Sequence, residues 1–257
     1  MRKIPFLIVV LVLLTSCGVG LQPHDGEPAD SVYYQQNASG DSTLYGLACD
    51  GTTDSLLVLL PYTGENPDTF DIVDAFRAHR VYGLPHTGDE LAVIINPDDS
   101  MEAVKVINIE TLKGDWCYEV MPTLRNIDQM PQRMQQRMME RMPDSVRRKL
   151  MVPREYGIKL KRGNQAQTIG GGRRHGMADE MSPVEYPRPK RYSEWHLYNG
   201  MLILTSGTDS IPGMQQQPSK VEHDTVEIVR LRRDTLVLRF PDHEQSFYRK
   251  VEEPVKL

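Results

Sequence analysis

Two dipeptides, Asp50-Gly51 and Asn199-Gly200, each lie between apolar, β-favouring runs, and they constrain the fold more than any other feature of the chain. Both residues of such a pair tolerate the positive φ of a tight hairpin turn, so the flanking runs are expected to pair antiparallel. The first hairpin joins Leu44–Cys49 to Thr52–Leu60, and the second joins Trp195–Tyr198 to Met201–Leu204. Further candidate strands are Thr69–Ala75 with His79–Tyr82, and Leu91–Ile95 with Ala103–Ile109 across the turn Asn96–Asp99. Near the end come Thr225–Leu231 and Thr235–Phe240 about Arg233-Asp234, then Ser246–Lys250. Alternation in the strand from Ala103 puts Val104 and Val106 on one face, with Lys105 and Ile107 on the other. Many short strands at this spacing predict a mainly β protein. The expected parts are a small N-terminal antiparallel barrel or sandwich over 42–112 and a C-terminal antiparallel meander over 113–257. An oligonucleotide- or oligosaccharide-binding type of barrel fits the first part, although nucleic acid is not an expected ligand outside the cytoplasm.

The other informative stretch is the leader. Arg2 and Lys3 precede the apolar run Ile4–Leu14, which is too short for a stable membrane span, and Leu14-Thr15-Ser16-Cys17 closes it. That ending resembles the lipobox of bacterial lipoproteins. The resemblance implies removal of residues 1–16 and acylation of Cys17, with the membrane as the partner of the N-terminal anchor. Each buried methylene contributes about 0.8 kcal/mol, so several acyl chains make a durable anchor. Residues 17–41 are polar and turn-rich and read as a linker. Gly18-Val19-Gly20 brings no acidic cluster directly after Cys17, which resembles an outer-membrane lipoprotein facing the periplasm. Such a compartment is oxidising and allows a Cys49–Cys117 disulfide.

Gly114-Asp115-Trp116 at the head of the C-terminal meander, and Phe247-Tyr248-Arg249 at its end, resemble the first and last strands of lipocalins and of lipocalin-like lipoprotein domains in Bacteroidetes-type bacteria. The resemblance covers Lys113–Met121 and Trp195–Val251. It implies a barrel in which Arg249 packs over the indole of Trp116, and in which Trp116, Phe247 and Arg249 close the barrel or touch a ligand. The stretch 126–190 departs from that pattern. Asn126–Leu150 reads as helix and Gly163–Lys190 as disordered loop, so the barrel is expected to carry a helical, partly disordered insert.

The formal charge of −5 is unevenly spread: Arg125–Arg191 holds sixteen Lys/Arg against seven Asp/Glu, and the rest fourteen against twenty-eight. A basic insert on an acidic body can meet anionic headgroups, an acidic partner or the protein's own surface. Within it Met134, Met138 and Met142 recur at steps of four, with Arg133, Arg137 and Arg141 in the adjacent row, and Pro143 interrupts the helix. Such a stripe is read as packing or partner contact in preference to a copper site. Gly170–Gly176 lacks phosphate-loop spacing and reads as linker. His196, His223 and His243 each neighbour a carboxylate but are expected as surface residues. No catalytic motif, metal site or cofactor is expected. The functional expectation is a non-catalytic envelope lipoprotein that binds a hydrophobic or amphipathic small molecule or an envelope protein. Its alternative is an assembly subunit docking through the insert.

Overall fold

The computed structural model describes residues 39–126, 129–171, 182–207 and 221–251. The leader, Cys17 and most of the linker lie outside the described residues, as does 172–181 of the glycine- and arginine-rich stretch. The molecule is mainly β. The first part contains β1 (Thr43–Ala48), β2 (Leu56–Pro61), β3 (Asp68–Asp71), α1 (Val73–Arg77), β4 (Val81–Tyr82), β5 (Glu90–Ile95), β6 (Ala103–Asn108) and α2 (Ile109–Leu112). The second contains β7 (Gly114–Val120), β8 (Thr123–Leu124), α3 (Gln132–Arg141), α4 (Asp144–Leu150), β9 (Arg154–Leu160), β10 (Ala166–Ile169) and β11 (Val184–Glu185). It ends with β12 (Glu194–Tyr198), β13 (Met201–Ser206), β14 (Glu222–Leu231), β15 (Thr235–Arg239) and β16 (Glu244–Arg249).

Strands β3-β2-β1-β5-β6-β4 form one sheet in that order. It is not wholly antiparallel, because β4 runs parallel to β6. The expected strand Thr69–Ala75 ends at Asp71, where the Asp71 carboxylate accepts the Val73 amide (2.8 Å) and the chain turns into α1. The Asp71 amide donates to Met101 O (2.8 Å), so β3 comes back beside the chain that enters β6. The sheet therefore folds around Leu57, Leu59, Phe70, Ile72, Leu91, Val93 and Val106. As alternation requires, Val106 lies in that core while Ile107 faces the opposite way into the second core.

The second sheet has eight strands, ordered β10-β9-β7-β16-β15-β14-β13-β12, with every neighbouring pair antiparallel. Its two edges meet: the Ala166 amide donates to Ser193 O (2.9 Å) and the Trp195 amide to Asn164 O (2.8 Å), so the barrel is nearly closed. Closure satisfies edge groups that would otherwise be left open. Two of the eight strands, β9 and β10, come from within 126–190, which corrects the expectation of a helical and disordered insert. Among the described residues, α3, α4 and the short β8–β11 ladder lie outside the barrel sheet.

Inward residues of the barrel, among them Trp116, Ile158, Leu160, Trp195, Leu202, Leu204, Ile228, Leu236, Leu238 and Phe247, form one core with Tyr45, Tyr82, Ala92 and Ile107 of the first sheet. Polar ties span the same junction. The Tyr45 hydroxyl donates to Leu197 O (3.0 Å), Lys105 Nζ to Gly200 O (3.2 Å) and the Gly83 amide to Leu231 O (3.1 Å). No helix among the described residues is long and apolar enough to cross a membrane.

Candidate ligand site at the barrel mouth

One end of the barrel is sealed. Gly114 takes φ of 140°, a backbone state that L side chains rarely adopt, and a Cβ there would run into the Arg249 guanidinium. Two residues on, Trp116 is fully buried, and its indole N–H donates to Leu112 O (2.7 Å) of α2, which plugs this end. The Arg249 guanidinium lies over the indole, 4.2 Å from the ring centroid. It donates from Nε to Arg233 O (2.5 Å), from Nη1 to Lys113 O (2.8 Å) and from Nη2 to Thr111 O. Burial, and then the charge of Arg233, lower its pKa from the ordinary guanidinium value. Each of its three nitrogens donates to a backbone carbonyl and its plane covers the ring, so Arg249 acts as a clamp holding α2, β7 and the β14–β15 turn together.

The interior above this seal is filled. Trp116, Ile158, Leu160, Leu202, Leu204, Leu236, Leu238 and Phe247 enclose about 190 Å³ of interstitial space with no room for a water-sized sphere. Close packing therefore leaves no room for a ligand deep inside the barrel.

At the opposite end the barrel opens into a cup of about 480 Å³. Its floor is aromatic. Phe247 meets Tyr118 edge-on with centroids 5.2 Å apart, and Tyr192 and Phe240 pack against the core from the side. His243 stacks on Phe240 at 4.9 Å with planes 5° apart. The segment from Tyr186 to Tyr192 forms a strap over one side. It is pinned by Tyr156 Oη to Pro187 O (3.0 Å), Thr168 Oγ1 to Lys190 O (2.9 Å) and the Tyr192 amide to Thr168 Oγ1 (2.9 Å). Asp224 holds its end, accepting from Tyr192 Oη (2.8 Å) and Lys190 Nζ (2.8 Å). Burial, and then the Asp224 carboxylate, push the Tyr192 phenol well above its ordinary range. Arg188 also lines the cup and is exposed.

Of the residues singled out from sequence, Trp116 and Arg249 meet at the seal, and Phe247 and His243 reach the cup. The Cys49–Cys117 disulfide is not formed. Both thiols are free: Cys49 follows β1 in the first sheet, whereas Cys117 lies in β7 between Gly157 and Tyr248 of the neighbouring strands. Burial, and then the Glu155 carboxylate, push the Cys117 thiol up to about 11. Met134 is exposed with Arg133, Arg137 and Arg141, Met138 and Met142 are half-buried, and none of the six lines the cup. The three histidines do not converge. His223 Nδ1 pairs with Thr205 Oγ1 (3.0 Å), His243 with Asp242 (2.7 Å), and His196 lies on β12. Among the described residues no group of His, Cys, Asp and Glu is placed to hold a metal ion. Tyr118, Tyr192 and Phe240 are the cup residues that sequence reading missed.

No protein-family model, curated protein or solved structure matches the chain. Fold and site together define a packed, nearly closed antiparallel barrel, sealed at one end and cupped at the other.

Proposed function

We propose that this chain is a non-catalytic cell-envelope lipoprotein, anchored through an acylated Cys17 on the outer membrane and facing the periplasm. Its lipocalin-like barrel binds a hydrophobic or amphipathic small molecule in the cup at its mouth. The observation that carries the reading is the aromatic-floored volume of about 480 Å³ above a filled interior. Such a volume suits a small ligand, since sites of this kind span about 300–1,000 Å³ with an apolar lining and a few polar groups. The rings of Tyr118, Tyr192, Phe240 and Phe247 take the apolar part, and Arg188, His243 and Gln245 stand where a polar group would emerge. The seal supports the lipocalin-like assignment, because the glycine, the tryptophan and the terminal arginine act there as one unit.

Titration with 1-anilinonaphthalene-8-sulfonate, an apolar ring system bearing one anion, tests the site. Saturable single-site binding is expected, weakened about tenfold in Phe240→Ala by the loss of one aromatic wall. Gln245→Trp, which fills the cup from β16, should abolish it. Unchanged binding in Gln245→Trp, or no saturable binding at all, removes the reading. Intact-mass spectrometry of the membrane-extracted product checks the anchor separately: a chain starting at Cys17 and carrying acyl mass is expected.

The second reading, an assembly subunit that docks on a protein through the insert, is favoured by one observation: α4 buries none of its residues. Removing 130–151 leaves β9 and β10 intact, so co-purification of envelope proteins with that variant distinguishes the two. A ligand carrier keeps its partner profile, and an assembly subunit loses it.

A further inference from the structure

No described side chain of the helical pair α3–α4 belongs to either core, and α4 buries no residue. Yet α3 is built as an amphipathic helix. Helical geometry lines up Met134 and Met138, with Met142 just past the helix end, sets Arg133, Arg137 and Arg141 directly beside them, and turns Gln132, Gln136 and Glu140 to the far side. On α4, beyond the break at Pro143, Val146 and Leu150 lie one helical turn apart. Met134 is 60% exposed and Val146 40%. At the base of the pair, where Val120 and Arg154 face each other across β7 and β9, Met121 and Val152 are exposed as well.

The charge on the pair is exposed too. Arg133, Arg137, Arg141, Arg147, Arg148 and Lys149 stand against Glu140 and Asp144. Among the described residues none of these six cations makes an ion pair. Arg148 reaches only the Asp144 carbonyl of its own helix (3.4 Å), and Glu140 accepts from Gln136 (3.1 Å). The pair therefore does not lean on the acidic remainder of the chain.

We propose that α3–α4 is a docking surface for the headgroup layer of an anionic phospholipid membrane. The thioether and aliphatic stripe enters the boundary between headgroups and acyl chains, and the arginines reach phosphates from the row beside it. Placement of the cations decides for lipid over an acidic protein. On α3 they border the apolar stripe, at the depth where long basic side chains extend to phosphates, while the face opposite carries Glu140 as its one charge; on α4, Arg147 and Lys149 flank Val146 and Leu150 in the same way. Unbranched thioethers also make a deformable apolar surface that needs no shaped counterpart. Strand β7 runs from the seal to the mouth, so the pair leaves the barrel at the rim of the cup. Docking turns the cup toward the bilayer, into which an amphipathic ligand partitions; this last consequence alone rests on the ligand reading.

The test uses the full chain carrying Met138→Trp, because the native Trp116 and Trp195 are buried and give a constant background. Mixed with phosphatidylcholine vesicles containing phosphatidylglycerol, the added indole should shift its emission to the blue, and high salt should reverse the shift. Pure phosphatidylcholine vesicles should leave it unchanged. Adding Arg133→Gln, Arg137→Gln and Arg141→Gln should weaken docking about a hundredfold without altering the melting temperature. Absence of the shift on phosphatidylglycerol overturns the proposal, as does a shift obtained only with an envelope protein fraction, which would identify a protein partner. Association with pure phosphatidylcholine reports the acyl anchor, so failure there counts against the reading of Cys17 and leaves α3–α4 untouched.

Discussion

Arg249 carries more structural responsibility than its place in an exposed terminal strand suggests. Its three carbonyl partners, Thr111 and Lys113 at the end of α2 and Arg233 in the β14–β15 turn, join the two ends of the barrel sequence at one guanidinium. Replacing it with Met keeps the apolar contact to Trp116 but leaves those carbonyls without a donor. A loss of roughly 2–3 kcal/mol is expected, measured by urea denaturation followed through tryptophan emission. Gly114→Ala should cost a similar amount for a different reason, since the new methyl group both strains a positive-φ backbone and displaces the guanidinium. His196 sets a pH dependence. Burial, and then the nearby His223, lower its pKa from 6.5. The unfolded chain therefore binds this proton first as pH falls, so stability drops below about pH 6.5 and levels off beneath the folded value. Melting temperatures at neutral and mildly acidic pH should converge in His196→Gln; a drop as large as in the parent chain would assign the effect elsewhere.

The strap is the element that shapes the cup, and it is held mainly from β10 and β14. Tyr192→Phe removes the phenol that donates to Asp224 and leaves the ring in place. Hydrogen bonds to charged groups contribute about 1.5–3 kcal/mol, so amide exchange across 186–192 should quicken about tenfold or more while barrel amides keep their protection. Legibility in the sequence differed element by element. The Asn199-Gly200 hairpin was readable because a local φ requirement encodes it: Asn199 and Gly200 take φ of 48° and 70°. Strand β9 was harder, since Arg154, Glu155, Gly157 and Lys159 make the stretch look like part of a basic insert. Its inward row, Tyr156, Ile158 and Leu160, carries the period of two that could have found it. The clamp could be read from its end motifs. The cup could not, because Tyr118, Thr168, Tyr192, Phe240 and Gln245 come together only after β10 and β12 close the barrel, and no short-range pattern encodes that meeting.

Across the whole molecule, the two sheets share a core through residues of both outer and inner faces. Tyr45, Tyr82, Ala92 and Ile107 of the first sheet lie in the barrel's own cluster, and the loop from Ser39 to Ser42 is stitched to the β12–β13 turn. There the Asn199 amide donates to Asp41 (2.9 Å) and the Ser42 amide to Asn199 Oδ1 (2.9 Å). Separating the sheets would expose an apolar junction and the Tyr45 and Lys105 ties together, at about 25 cal/mol for each Å² uncovered. A barrel cut free at Lys113 would also lose α2, and with it the Leu112 carbonyl that receives the Trp116 indole. Residues 39–251 should accordingly unfold as one cooperative unit. Both tryptophans sit on barrel strands, whereas far-ultraviolet circular dichroism sums both sheets, so the two signals should follow a single denaturant transition with a common midpoint. A dichroism change that precedes the fluorescence change would mean that the first sheet melts independently, and that the shared core is a contact between two self-sufficient bodies. The fragment 113–257, expressed alone, adds a sharper arm: without α2 to plug its sealed end it should show quenched, red-shifted tryptophan emission even before denaturant is added.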